Sequence, residues 1–237
     1  MHISENAYNG NRLLARLPDH EIQNIAPALH PVDLPRGTVI VGVERVIDHV
    51  YFLCRGIGSV VAVSADGLRG EAGMFGREGF SPTSAGVGGT ISIHEVLIQV
   101  SGSGFRMSLA AMHSLINQNP VFANLLARFI QSLVSQISFT AFCNANYQVG
   151  ERLARWLLMC HDRMDGDEIT LTHDFISLVL SVRRPSVTNA IHVLEGRKLV
   201  LAERGRITIR DRKGLEEFAG GAYGKPEQEY RRLIGEI

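Results

Sequence analysis

The chain has 237 residues, 45% of them apolar, with 24 basic and 24 acidic side chains and therefore no formal net charge. That length allows one large domain or two ordinary ones. No run of eighteen apolar residues suggests a membrane span, and the polar stretch Met1–Asn11 lacks the apolar segment of a secretory signal, so a cytoplasmic location with no membrane partner is expected.

In chain order, Glu21–His30 reads as a short helix. From Val32 the texture becomes β-prone: Val39-Ile40-Val41, Val50-Tyr51-Phe52-Leu53 and Val60-Val61-Ala62-Val63. Turn signals lie between these runs, at Pro35-Arg36-Gly37, Arg55-Gly56, Asp66-Gly67 and Gly70. Asp66-Gly67 suits a hairpin, because both residues tolerate positive φ. Ile91–Val100 is a further strand, and the glycine clusters, Gly102-Ser103-Gly104 among them, read as turns of a small barrel or roll.

From Leu109 the period becomes helical. Leu109, Met112, Leu115 and Ile116 form one short helix, and Pro120 opens the next, where its missing N–H costs nothing. That helix runs to about Phe142. Phe122, Leu126, Phe129, Leu133, Ile137 and Thr140 recur at spacings of four and three, as in a coiled-coil seam. Leu125, Ile130, Val134 and Ala141 form a second stripe, so the helix can pack on its own domain and on a partner; an ordinary core helix is the other reading. Cys143–Val149 is polar and reads as a hinge. Gly150–Met164 is amphipathic, with Leu153, Trp156, Leu157 and Cys160 on one face, and Asp165-Gly166-Asp167 is a turn. The three cysteines, Cys54, Cys143 and Cys160, are far apart with no CxxC pair, which argues against a disulfide framework or a structural zinc site; they read as small apolar residues.

Thr172 is an N-cap for a helix from His173 to about Leu180, with Phe175, Ile176, Val179 and Leu180 on its buried face. Ser181-Val182-Arg183 is a short turn, and a second helix runs from Arg184 to Gly196 with Val187, Ile191 and Leu194 as its core side. Two short helices at this spacing make a helix-turn-helix. Arginine can grip guanine, and asparagine adenine, with paired hydrogen bonds in the major groove. Arg184 and Asn189 are therefore expected base contacts, Arg183 and Ser186 can serve base or phosphate, and Thr172 joins the same surface. Leu199–Glu203 and Arg206–Ile209 form a hairpin across Arg204-Gly205, a wing whose Arg204 and Arg206 can reach phosphates. Between Arg183 and Lys213 stand nine basic residues against three acidic ones, an excess of six that suits one end of the molecule to double-stranded DNA. Asp211–Ala219 reads as a closing helix and residues 220–237 as an uninformative tail.

The order of elements resembles the family of the cyclic-AMP receptor protein and the oxygen regulator FNR. The resemblance runs from about Val32 to Leu215. Its most specific parts are the stretches Gly150–Leu158, Leu171–Ile176, Val182–Thr188 and Leu194–Val200. It implies an α+β fold: an N-terminal cyclic-nucleotide-binding-like β-roll (1–119), a long dimerisation helix and hinge (120–149), a C-terminal winged helix-turn-helix (150–219) and the tail. It also implies a homodimer through the Phe122–Ile137 seam, binding a palindromic site as a transcription regulator, and contact with RNA polymerase if it activates.

Departures from the family's pattern bear on the effector. Members that bind cyclic AMP carry Gly-Glu-Leu and then Arg-Ser/Thr-Ala. This chain has Gly76-Arg77-Glu78-Gly79-Phe80 and then Ile93-His94-Glu95-Val96, where Glu95 would repel a phosphate. Cyclic AMP in the usual mode is therefore not expected, and no cofactor is assigned. Arg77, Glu78, His94 and Glu95 remain candidates for some other effector pocket. FNR's N-terminal cysteine cluster is absent. Pro185 stands where many members carry a base-reading glutamate. No nucleophile elbow, HExxH or Walker A motif suggests an enzyme. The competing reading is a sensor module that signals through protein contacts, which the basic segment and wing disfavour.

Overall fold

The structure, a computed structural model, describes residues 7–237. The first six residues of the polar N-terminal stretch lie outside it. Helix α1 covers Asp19–Ile25, and a 3-10 turn at Ala26–Ala28 ends it, so the expected helix to His30 is too long. His30 instead opens strand β1 (His30–Leu34).

Six more strands follow: β2 (Val39–Val41), β3 (Arg45–Val46), β4 (His49–Val63), β5 (Arg69–Phe75), β6 (Ile91–Ser92) and β7 (Glu95–Ser108). One antiparallel sheet has the order β1-β7-β4-β5, with β2 also on β7, while β3 and β6 form a separate ladder. Three expected turns lie inside strands, and one of them, Gly70, is simply part of β5 opposite Ala62. Arg55-Gly56 is a bulge in β4, where Gly56 takes φ +88° and the register against β7 shifts. Gly102 and Gly104 sit within β7, directly against the facing backbone. A Cβ there would fall 1.9 Å from Arg55 O and 2.2 Å from Phe52 O respectively. These glycines allow two long strands to approach closely rather than turn.

Helix α2 covers Leu109–Gln118 and α3 Pro120–Asn146. The Asn119 side chain accepts a hydrogen bond from Phe122 N at 2.9 Å and caps α3. The expected hinge is mostly helical: α3 continues four residues past Phe142, leaving only Tyr147-Gln148 between it and α4 (Val149–Asp162). By length and composition α3 could cross a membrane; here its Phe122, Leu126 and Phe129 are buried in the core of the roll, and Leu133 is buried as well.

Beyond α4 come β8 (Glu168–Thr170), α5 (His173–Leu180), α6 (Arg184–Gly196), β9 (Val200–Glu203), β10 (Arg206–Ile209), α7 (Arg212–Ala219) and α8 (Lys225–Leu233). Strands β8, β10 and β9 form a small sheet in that order. The sequence pattern missed β8, a three-residue strand with no periodic signal.

Two cores result. One fills the roll and takes in α1, α2 and the first half of α3. The other belongs to the C-terminal domain but also receives Ile57 and Met74 from the roll. Leu153–Cys160 in α4 are buried without interruption, because α4 packs on the roll as well as on its own domain. Residues 220–237 are not a loose tail. Helix α8 returns to α3 and the roll, where Tyr230 is buried and its hydroxyl donates to Glu78 O at 2.8 Å.

Candidate nucleic-acid interface

Helix α5 begins at Thr172, whose Oγ1 accepts from Phe175 N at 3.3 Å. It stops at Ser181, which adopts the left-handed conformation with φ +51°. Val182 and Arg183 complete the turn, and α6 starts with Arg184 and Pro185. Val187, Ala190, Ile191 and Leu194 bury one face of α6 in the C-terminal core. The opposite face carries Arg183, Arg184, Pro185, Asn189 and His192, all exposed, with Ser186 half-buried at its flank. Pro185, Asn189 and His192 fall at spacings of four and three, so they share one stripe. The structure thus brings Arg183, Arg184, Ser186 and Asn189 together on the first two turns of a helix. The free N–H groups of that first turn also favour an anion.

Arg184 makes a 3.4 Å contact with Asp174, and both side chains are largely exposed. Such a pair contributes little and exchanges readily for a phosphate or a base. Thr172 differs from the others, because its hydroxyl oxygen is already used as a cap.

The wing is present. Strands β9 and β10 pair in register from Val200–Ile209 to Glu203–Arg206, and Gly205 turns with φ +76°. Arg204 is exposed at the tip. Arg206 lies between Glu203 and Glu168, within 2.5 and 3.3 Å, so it is held along the sheet rather than offered outward. Two more cations of the basic segment are structural. Arg212 donates to Asp162 and Glu216, and the Arg197 guanidinium lies 4.7 Å from the Phe218 ring centre. Arg183, Arg184, Lys198, Arg204, Arg210 and Lys213 are exposed, and so is Arg197 despite its contact with Phe218.

The seam expected on α3 requires correction. Phe122, Leu126, Phe129 and Leu133 are between 0 and 4% exposed within the single chain, so they cannot meet a partner helix. Ile137 and Thr140, both half-buried, are the members of that set with surface left over. The second stripe is the outward one except at Leu125, which is buried, and it is joined by Ala127 and by Ile137 of the first stripe. Ala127, Val134 and Ala141 are exposed, and Ile130 and Ile137 lie half-exposed between them. These five recur as three, four, three and four residues, the spacing of a coiled-coil interface. Periodicity shows that two stripes exist; only packing shows which one the roll takes.

The four residues considered for an effector pocket are not brought together either. Glu78 is buried, and Arg163 Nε donates to its Oε1 at 2.8 Å. Arg77 pairs with Asp165 at 2.6 Å and also donates to Met164 O. Glu95 lies at the far end of the roll, opposite Val61, and pairs with Arg69. His94 is half-buried beside it, with its pKa lowered by desolvation. The roll interior near Gly79 is filled: a Cβ there would fall 1.9 Å from the Phe129 ring, which packs on Phe80. A cyclic nucleotide needs a free glutamate and a free arginine, and these residues do not fit that need.

Sequence reasoning missed Arg155 on α4 and Arg163 just past its end, 5% and 4% exposed. A helical period marks a face as buried; it gives no sign that an arginine on that face is buried too.

The architecture defines a winged helix-turn-helix domain joined, through a long helix, to a β-roll. Residues 151–218 match the model of the Crp-like helix-turn-helix domain. No curated protein matches the chain in sequence. Among solved structures, FixK2 from Bradyrhizobium japonicum superposes with a TM-score of 0.69 at 14% identity, over 81% of this chain and 98% of that one. A CRP-family transcriptional regulator from Thermus thermophilus gives 0.66 at 19%, over 81% and 98%. The c-di-GMP responsive global regulator CLP of Xanthomonas campestris gives 0.64 at 14%, over 81% and 99%. The C-terminal domain is thus a Crp-like helix-turn-helix domain, and the chain has the fold of the Crp/FNR transcription regulators.

Proposed function

We propose that this protein is a transcription regulator that binds a palindromic duplex as a homodimer. The carrying observation is the outward face of α6, which groups Arg183, Arg184 and Asn189 while its other face is locked in the core. On this reading α6 enters the major groove. Arg184 and Asn189 contact base edges, Arg183 and Ser186 complete the contact, and Arg204 on the wing reaches phosphate. The outward stripe Ala127, Ile130, Val134, Ile137 and Ala141 supports dimerisation through α3.

Cyclic AMP is not the effector on this reading, because Glu78 is committed to Arg163 and Glu95 to Arg69. The location is the cytoplasm, where the duplex is, and RNA polymerase is the further partner if the protein activates.

Selection from a random duplex pool with the purified, ligand-free chain tests the proposal. It predicts an inverted repeat whose half-sites lie about 10 base pairs apart, or a multiple of that. Enrichment of no sequence, with or without cyclic AMP, would contradict it.

A further inference from the structure

Strand β5 and helix α4 meet across a buried chain of polar atoms that links the roll to the DNA-binding domain. Trp156 Nε1 on α4 donates to Glu71 Oε1 on β5 at 2.7 Å. Glu71 Oε2 contacts Ser59 Oγ, which lies 2.6 Å from Gln99 Oε1. Gln99 Nε2 faces Cys160 Sγ on α4 at 4.0 Å. Ser59, Gln99, Trp156 and Cys160 are all at most 3% exposed.

Counting protons constrains this relay. A serine hydroxyl carries one hydrogen, yet Ser59 sits between two oxygens that both need one if Glu71 is ionised. An unmatched pair of buried acceptors is unfavourable, because each has lost its water without gaining a donor. In the arrangement seen, the protons match the oxygens of the relay if Glu71 is the neutral acid. Its Oε2–H then donates to Ser59, Ser59 to Gln99 Oε1, and the Gln99 amide to Cys160. The ionised acid has a different solution: the Gln99 amide turns over, donates to Ser59, and Ser59 donates to the carboxylate.

The second arrangement leaves a buried negative charge with no cation in hydrogen-bond contact. From α4, Arg155 and Arg163 act on Glu71 only through space, and Arg163 is committed to Glu78. Arg152 and Cys160 of α4, Cys143 of α3 and Glu227 of α8 complete the ionisable surroundings. A cavity of about 20 Å³ adjoins Glu71, lined by Arg152, Arg155, Thr140 and Cys143, and the Nε atoms of both arginines lack partners there. It has room for a water that would hydrate the carboxylate.

We propose that the Glu71–Ser59–Gln99 relay is a proton-binding site that closes the joint between the roll and the DNA-binding domain when occupied and loosens it when the proton leaves. Burial pushes the Glu71 carboxyl up to about 7, against the smaller opposing pull of its hydrogen bonds from Ser59 and Trp156. The sign follows from that direction. The closed joint binds the proton more tightly than an unfolded chain does, so its contribution is full below the ordinary glutamate value and is lost as pH rises through neutrality.

Trp156 is the chain's single tryptophan, so tryptophan fluorescence reports on its surroundings, this joint and the neighbouring Phe175 ring. Titrated across neutral pH, the full chain should show one transition with a midpoint at about 7. Glu71→Gln should show none, because a carboxamide keeps an acceptor for Trp156 and a donor for Ser59. Amide exchange in β5 and α4 should quicken above the midpoint in the parent chain and not in the variant. If Glu71→Gln fails to fold, infrared difference spectra of the parent chain should show a carboxylic acid converting to carboxylate over the same range. A transition that survives in Glu71→Gln, a parent chain that is flat in fluorescence, exchange that ignores pH, or no protonated carboxyl would each overturn the proposal.

Discussion

Arg163 Nε lies 2.8 Å from Glu78 Oε1 at the junction of the two domains, with both side chains buried. Glu78 comes from the roll and Arg163 from the end of α4, where its Nη1 also donates to Met159 O at 2.7 Å. Removing one partner leaves the other charge buried without its mate. Glu78→Ala should therefore destabilise the chain by about 3–5 kcal/mol. Combining Glu78→Leu with Arg163→Met should recover most of that loss. Urea unfolding checks both, and a double variant no more stable than Glu78→Ala would contradict the pairing.

The C-terminal helix contributes to the same junction. Tyr230→Phe removes the hydroxyl that donates to Glu78 O at 2.8 Å and leaves a buried carbonyl unpaired. A loss of about 1 kcal/mol is expected in the same unfolding experiment. No change would mean that α8 only lies over the roll without being tied to it.

The two stripes of α3 can be separated by mutation. Val134→Asp, on the 49%-exposed position, should leave the fold intact and shift the dimer to monomer in sedimentation. Leu133→Asp, at 4% exposure, should instead unfold the chain, because it buries a charge without a partner. A Val134→Asp protein that remains a dimer would show that the contact lies elsewhere.

Gly104→Ala should be among the costlier single-atom changes in the roll. Its Cβ would sit 2.2 Å from Phe52 O, and backbone cannot move aside as a side-chain tip can. Overpacking of this kind costs about 1–3 kcal/mol. Thermal unfolding reads it directly, with Gly67→Ala, in open space at φ +84°, as a turn-strain comparison.

These sites show what the sequence could and could not disclose. The helix-turn-helix was legible because local rules place it: a threonine cap, a proline in the first turn, and apolar residues at helical spacing. The roll was legible as a class, from short β-prone runs between glycines. Its glycines were misread where close approach, not turning, was the reason for them, since Gly56, Gly102 and Gly104 look like any other turn glycine in sequence. The seam was misassigned for a related reason. Both stripes of α3 obey the same period, and only the neighbouring roll decides that Phe129 goes inward and Val134 outward. Glu71, Arg155 and Arg163 were invisible, because the partners that make a buried charge tolerable come from distant parts of the chain.

On the function proposed above, the outward face of α6 reads DNA. The direct measurement is a titration of the selected duplex, and of its single-base variants, with the parent chain and with Arg184→Ala. A loss of about 1–3 kcal/mol on the selected site and relaxed preference at one base position in each half-site are expected. Unchanged affinity and unchanged preference in Arg184→Ala would contradict the assignment of α6 as the reading helix.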